Sequence, residues 1–447
     1  MATFEPTNDP TKADASPTKA FFVDIITRDI QLDEAIQDLV DNCIDGAKRL
    51  RSNPTDRYDD LWVNLHISPQ SLILSDNCGG IPLDVARHYA FKFGRAKGFV
   101  PTSHSVGQFG VGMKRALFKM GKQFHVRSAE PNASFTIDVD VDAWTADDRN
   151  WDFDIKDLIE GADQDRVLGT TLEIPQLVPE VADSFDEAFI KSLRHNIRSK
   201  QQHAMSLGLQ ISVNDEAIIP TSWSLIQGSG IAPAFRRFED GDLGGTSPII
   251  SRIYAGLSDS SRPHAGWYIF CNGRCILEAN QESITGWDYV TDDGVKIPKY
   301  HGQFARFRGY AFLDSEDASI LPWNTTKTSL DQESPAYRRL LPRLVEVTRT
   351  VINFLNQLDN EKELEASDKA LTSALQQARA MPLERLEQRP TFVFTEPPPR
   401  GPAMARISYQ KPRGEVDALM RAMNVQYPKH VGEQSFDLAY ETYVEEE

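Results

Sequence analysis

From Asp33 onward the chain sets Ile36, Leu39, Val40, Cys43, Ile44 and Ala47 at helical spacing, while Asp38, Asn42 and Asp45 recur at i, i+4 and i+7 on the adjoining stripe. A helix with one apolar face packs on a core, which leaves the carboxylate–amide–carboxylate row along its edge. Asparagine is a poor mid-helix residue. Its place between two carboxylates suits a hydrated Mg²⁺, which takes hard oxygen ligands and keeps several waters. A solvated polar stripe fits the same residues.

Two further stretches carry chemistry. Val63, Leu65 and Ile67 alternate, Ser68-Pro69-Gln70 turns the chain, and Leu72-Ile73-Leu74 follows as a buried run, which together predict a hairpin. The second strand runs through Ser75 into Asp76-Asn77-Cys78-Gly79-Gly80. An aspartate at a strand end can accept a hydrogen bond from an exocyclic amine, and glycines let a planar base approach the backbone; a simple strand-ending turn also fits. A helix is predicted over Leu83 to Phe93, stopped by Gly94. The non-periodic stretch Arg95 to Val111 has the length of a lid or binding loop. It ends in Gly107-Gln108-Phe109-Gly110-Val111-Gly112, and Met113-Lys114-Arg115-Ala116 opens the next helix. Glycines at a helix start expose backbone N–H groups, a cradle for phosphates. The GK[ST] ending of a P-loop is missing.

In this order the three elements resemble the nucleotide-binding boxes of the GHKL ATPases, the superfamily of gyrase, mismatch-repair, heat-shock chaperone, histidine-kinase and Morc-type proteins. A fourth box is Gly169-Thr170-Thr171 in a strand; the likeness spans Asp33 to Ile174. The resemblance implies ATP and Mg²⁺ as ligands, with Asn42 on the metal, Asp76 on the adenine amine and Gly80 admitting the base. Gly107, Gly110 and Gly112 hold the phosphates and Thr170 assists at the adenine through water. Asp45, Ile81 and Val111 complete the binding set, and Arg95 to Val111 becomes the ATP lid. Cys78 stands where the second box usually has its first glycine. Asp38 stands where hydrolysing members carry the catalytic glutamate, one methylene longer, which predicts slow turnover.

The rest of the chain extends this reading. Strands are predicted at Phe124–Arg127, Phe135–Val139 and Val167–Ile174, then one long helix from Asp183 to Leu207. Strands follow at Leu209–Val213, at Trp267–Cys271 paired with Arg274–Leu277 through Asn272-Gly273, and at Phe307–Phe312. The loop Pro322-Trp323-Asn324-Thr325-Thr326-Lys327 resembles the transducer loop that delivers a lysine to the γ-phosphate in the gyrase and mismatch-repair branch, which makes Lys327 the second candidate catalytic residue. A helical stretch is expected over Pro335 to Ala380, with Thr348 its one polar step. Pro397 to Pro402 reads as a stiff linker. A short strand near Ile407 and a helix over Glu415 to Met423 follow, and Glu445–Glu447 reads as a loose end.

The expected fold class is α+β, a GHKL (Bergerat) α/β sandwich followed by a transducer-type α/β domain and a helical carboxyl-terminal region. The expected divisions are an arm over 1–22, the ATP-binding domain over 23–182, the transducer-like domain over 183–333, helices over 334–388, and the linker with a small element over 389–447. The resemblance also implies a homodimer in the ATP state, with a protein or DNA client unassigned. A formal charge of −17 over 447 residues opposes bulk nucleic-acid binding, although Arg194, Arg198 and Lys200 could form a local patch. Four cysteines without metal-ligand spacing, a polar start and no long apolar run predict a reducing, cytoplasmic setting without a membrane span. A non-hydrolysing ATP-regulated interaction protein and a DNA-processing ATPase subunit are the competing functions.

Overall fold

The computed structural model describes residues 11, 18–51, 53, 56–94, 102–107, 110–147, 149–291, 294, 296–364, 369–395 and 407–445. Helix α1 (Lys19–Arg28) is capped by Thr18, which accepts from the Phe21 amide, so the expected arm is helical from Lys19. Residues 1–10 and 12–17 lie outside the described residues. Helix α2 (Leu32–Arg49) buries Ile36, Leu39, Val40, Cys43, Ile44 and Ala47 as the periodicity requires. Its first turn carries Asp33 and Glu34 and its last Lys48 and Arg49, which complements the helix dipole.

Helix α2 lies against a mixed sheet. In chain order the elements are β1 (Trp62–Ile67), β2 (Leu72–Asp76), α3 (Leu83–Val85), α4 (Gly112–Met120), β3 (Gly121–Glu130), β4 (Ala133–Asp140), α5 (Val141–Thr145), β5 (Ile155–Glu160) and β6 (Gly169–Leu177). Helices α6 (Pro179–Ser184), α7 (Glu187–Lys200) and α8 (Gln202–Ser206) and strands β7 (Gln210–Val213) and β8 (Glu216–Ala217) follow. The sheet order is β5-β4-β3-β6-β2-β1-β7-β8, antiparallel except for β1 against β7. The predicted hairpin forms, with Leu65 opposite Leu74.

Several expectations are corrected. The predicted helix over Leu83 to Phe93 is the three-residue α3 followed by a π-helical turn, Ala86–Ala90. The predicted helix from Asp183 to Leu207 is three helices. Phe185, at ψ 55°, leaves helical space, and Asp186 then caps α7 through the Phe189 amide at 2.7 Å. Strand β7, expected to open the second domain, instead extends the first sheet. Val167, expected in a strand, is 86% exposed ahead of β6, and β5 was not foreseen because its side chains lie almost entirely in solvent and show no alternation.

The following part contains β9 (Ser224–Gln227), β10 (Ile231–Ala232), β11 (Ala234–Asp240), β12 (Ile249–Leu257), β13 (Gly266–Cys271), β14 (Arg274–Asn280), β15 (Tyr289–Val290), β16 (Lys296–Ile297) and β17 (Phe307–Asp314). Helices α9 (Pro335–Asn360) and α10 (Ala370–Gln377) and strands β18 (Arg379–Pro382) and β19 (Val393–Phe394) complete it. Its main sheet runs β11-β12-β17-β13-β14, with β13 and β17 parallel. Asn272 and Gly273, at φ 47° and 80°, make the predicted tight turn between β13 and β14. Helix α9 packs on the sheet, and its polar step has a use, since buried Thr348 accepts from the Trp267 indole at 3.1 Å.

The helical stretch expected up to Ala380 divides after Asn360. Beyond α10 the chain returns as β18 and β19 to pair with β9 and β10. A separate unit, Pro397–Glu447, contains α11 (Arg413–Ala422) and α12 (Pro428–Tyr440). The expected strand near Ile407 is not formed there, and the proline linker Pro397 to Pro402, like Glu446 and Glu447, lies outside the described residues. No helix among the described residues is long and apolar enough to cross a membrane. All four cysteines are buried and free.

Candidate active site

Between α2, the π-helical turn, the start of α4 and the loop carrying Lys327 lies a cavity of ≈ 650 Å³. Of the predicted residues it gathers Asp38, Asn42, Asp45, Ile81, Gly107, Gly110, Val111, Gly112 and Lys327. The rest of the expected lid falls partly outside the described residues, at 95–101, Gln108 and Phe109. Six cations line this space, Lys48, Arg49, Arg51, Lys114, Arg115 and Lys327, against the carboxylates of Asp38 and Asp45. A protein of net charge −17 thus gathers basic side chains in one cavity, which suits a small polyanion.

The glycines are needed because α2 comes so close. A Cβ on Gly112 would lie 3.0 Å from an Asp38 carboxylate oxygen, and one on Gly107 would lie 3.0 Å from Asp45 and 3.6 Å from Asn42 Oδ1. The start of α4 can therefore face the acidic row only with a bare backbone. Asn42 is exposed to the cavity, whereas both oxygens of Asp45 are occupied, accepting the Val106 and Gly107 amides at 2.7 Å each. Asp45 thereby ties the backbone at Val106 and Gly107 to α2.

Lys327 arrives from the second sheet's side. Its backbone is left-handed, at φ 57°, and its amide donates to the Asn324 carbonyl at 3.0 Å in a tight turn. The ammonium is 5% exposed and donates to Asp38 Oδ1 at 3.0 Å and Asp41 Oδ2 at 2.8 Å. The other Asp38 oxygen accepts from Arg115 at 2.6 Å. Asp41 is fully buried and also holds Gln201 at 2.8 Å and Arg274 at 3.4 Å. Burial works to raise the Asp41 pKa, but Arg274 and Lys327 outweigh it and hold the group below the ordinary carboxylate range. Burial likewise works to lower Lys327, and Asp38 with Asp41 outweighs it, so its pKa is raised.

Three predicted residues are not brought into the cavity. Asp76 and Thr170 face each other across β2 and β6, and an Asp76 oxygen accepts the Cys78 amide at 2.7 Å. Burial, its largest influence, raises the Asp76 pKa. Gly80, at φ 72°, is pressed on β3, where a Cβ would come 2.2 Å from the Ala129 carbonyl oxygen. Its neighbour Ile81 does reach the cavity and donates its amide to Ser128 Oγ at 2.7 Å.

Residues 30–165 match the family model described as Histidine kinase-, DNA gyrase B-, and HSP90-like ATPase. The chain carries a GHKL ATPase domain. No curated protein matches the chain. The α+β architecture, with its large sheet, agrees with that family, which as a group binds ATP.

Around the GHKL site stand residues that sequence reasoning did not single out. Asp41 passes for a core-facing helix position, and no local pattern marks it. Asn272, read only as a turn residue, accepts from the Ser315 amide at 2.9 Å and donates to the Ser105 carbonyl at 3.1 Å, while its own carbonyl takes Lys48 at 2.9 Å. Lys48 also donates to the His104 carbonyl at 2.8 Å, so hairpin, lid and α2 meet at one ammonium. Of the basic residues on α7, Arg194 is committed to Glu216 and to the Val213 carbonyl, Arg198 donates to the His195 ring at 3.0 Å, and burial lowers the Lys200 pKa.

Proposed function

We propose that the protein is an ATP-dependent conformational switch in which Lys327 reads the terminal phosphate and Asp38 is the general base of a slow hydrolysis. The observation that carries this reading is the seat of Lys327, a buried cation from outside the matched segment that rests on two carboxylates of α2. In this state Asp38 is paired with two cations, Lys327 on one oxygen and Arg115 on the other. A terminal phosphate entering beside Gly112 competes for both cations through stronger charge-assisted hydrogen bonds. The carboxylate is then released at the moment its substrate arrives, and the cations stabilise the charge that develops on the phosphate. Departure of Lys327 from Asp41 also loosens the tie between α2 and the second domain, which couples the nucleotide to the arrangement of the two domains.

Mg²⁺ fits this chemistry. No group of three or more His, Cys, Asp or Glu side chains among the described residues could hold a metal ion, so the ion would bind through the Asn42 oxygen and the phosphates, as Mg²⁺ does at nucleotide sites. When bound it neutralises phosphate charge. Homodimerisation in the ATP state belongs to the same proposal, with α1 and the residues before it as the exchanging segment.

Phosphate release and nucleotide binding by the wild type, Asp38→Asn and Lys327→Ala test the reading. Slow wild-type turnover that falls about 100-fold or more in Asp38→Asn, with binding kept, is expected. Turnover no greater than a buffer blank would leave a non-hydrolysing, ATP-regulated interaction protein. Solution mass with and without a non-hydrolysable analogue tests the dimer, and a monomer in both states removes it.

A further inference from the structure

Outside the Lys327–Asp38–Arg115 group, two basic side chains of the cavity rest on a backbone carbonyl rather than on an acid: Arg49, which donates to the Gly80 carbonyl at 3.0 Å, and Lys114. Lys114 is the third residue of α4, lines the cavity and is 2% exposed. Its ammonium nitrogen donates to the Ala90 carbonyl at 2.7 Å and lies 5.8 Å from the centre of the Phe93 ring. Ala90 closes the π-helical turn that replaced the expected helix. A cation in the first turn of a helix opposes the helix dipole, and a buried cation without a counter-charge is costly. The neighbouring charges are engaged elsewhere. Arg115 is on Asp38 of α2, Arg87 of the π-helical turn is on Glu160 of β5, Lys119 is on the Thr27 carbonyl of α1, and Lys19 of α1 is on the carbonyls of Trp144 and Asn150. His88, on the same turn as Ala90, is exposed.

We propose that Lys114 is a phosphate-binding residue that leaves the Ala90 carbonyl for the nucleotide's phosphates when the ligand enters. This rests on the reading of the cavity as a nucleotide site and adds to it a cation that the glycines and Lys327 do not supply. Burial alone lowers the Lys114 pKa, to about 7, so near neutrality the resting side chain is partly the uncharged amine. An anion alongside restores the full charge, and the amine takes its proton from solvent as the ligand binds.

The test is calorimetric binding of Mg-ADP to the full chain at pH 8 in buffers of differing ionisation enthalpy, for the wild type and Lys114→Met. With a resting pKa of about 7, the wild type takes up about 0.9 proton more per site than the variant, in which the ligand's own protonation cancels. The variant binds on the order of tenfold more weakly. Methionine keeps the length and apolar body of the side chain, so the free variant melts at or above the wild-type temperature. Lys114→Arg, charged throughout, binds without the extra proton. Equal proton uptake and equal affinity in wild type and Lys114→Met would overturn the assignment while leaving the nucleotide site standing. Failure of the wild type to bind Mg-ADP would remove the site reading itself.

Discussion

The two ends of the candidate site are built in different ways. At the phosphate end, charged side chains on α2, α4, β14 and the Lys327 loop satisfy one another through hydrogen bonds, across elements far apart in the chain. At the other end, the one assigned to the base, Asp76 and Thr170 pair across two strand ends and Gly80 follows in a loop pressed on β3, all outside the lining of the cavity. One end holds a set of charges that neutralise each other. The other is closely packed backbone, with Asp76 buried and accepting the Cys78 amide. The two ends therefore call for different substitutions.

The largest effect is expected from Asp41→Ala. Removing this carboxylate leaves Lys327 and Arg274 buried without their partner, a loss of about 3–5 kcal/mol in a denaturant titration. A loss under about 1 kcal/mol would show that the charges at the phosphate end rearrange freely. Next is Gly80→Ala at the base end, where a positive φ and a carbonyl 2.2 Å from the new Cβ combine to cost about 2–3 kcal/mol. If that variant melts with the wild type, the packing there is looser than its contacts indicate.

The smallest effect depends on pH. The Asp41 pKa is depressed, so its contribution is present above the unfolded value and is lost only as pH falls through the folded one. The Lys327 pKa is raised, so its contribution is complete below the unfolded lysine value and is lost as pH rises through the folded one. The ion cluster therefore holds between pH 5 and 8. His203, stacked on Trp223 beside Phe312, is lowered to about 4 chiefly by burial, with Asp314 opposing and Arg252 and Lys48 reinforcing. The unfolded chain binds a proton there from about pH 6.5 downward, so stability falls by about 1–2 kcal/mol from pH 7 to pH 5. Asp76, raised by burial, acts in the opposite direction. His203→Phe should flatten the acid limb of the melting temperature, and an unchanged limb would assign it to other groups.

The segment from Asp33 to Ile67 was legible because its periods are long and its boundaries carry ordinary turn residues. The glycine start of α4 was legible because only a bare backbone suits that place. Other elements were not. The break at Phe185 and the π-helical turn at Ala86–Ala90 preserve apolar spacing in sequence, and only packing shows that the backbone leaves the helix. Exposed β5 has no alternation to detect, and β7 reads the same whichever sheet it joins.

Sequence by itself picked out the residues expected at a nucleotide site: the acidic row of α2, the aspartate after a buried strand, the glycines opening a helix, and a lysine in a polar loop. These depend on local rules, helical and strand periods and backbone freedom, that need no knowledge of distant partners. Tertiary structure alone decided what those residues do in the resting protein. It set Asp38 between two cations, tied Asp45 to the Val106 and Gly107 amides, drew Asp41 and Asn272 into contacts between the two sheets' elements, and left Lys114 on a carbonyl without an acid. Charges interact through space, so their pairing follows from the packing of elements up to 289 residues apart.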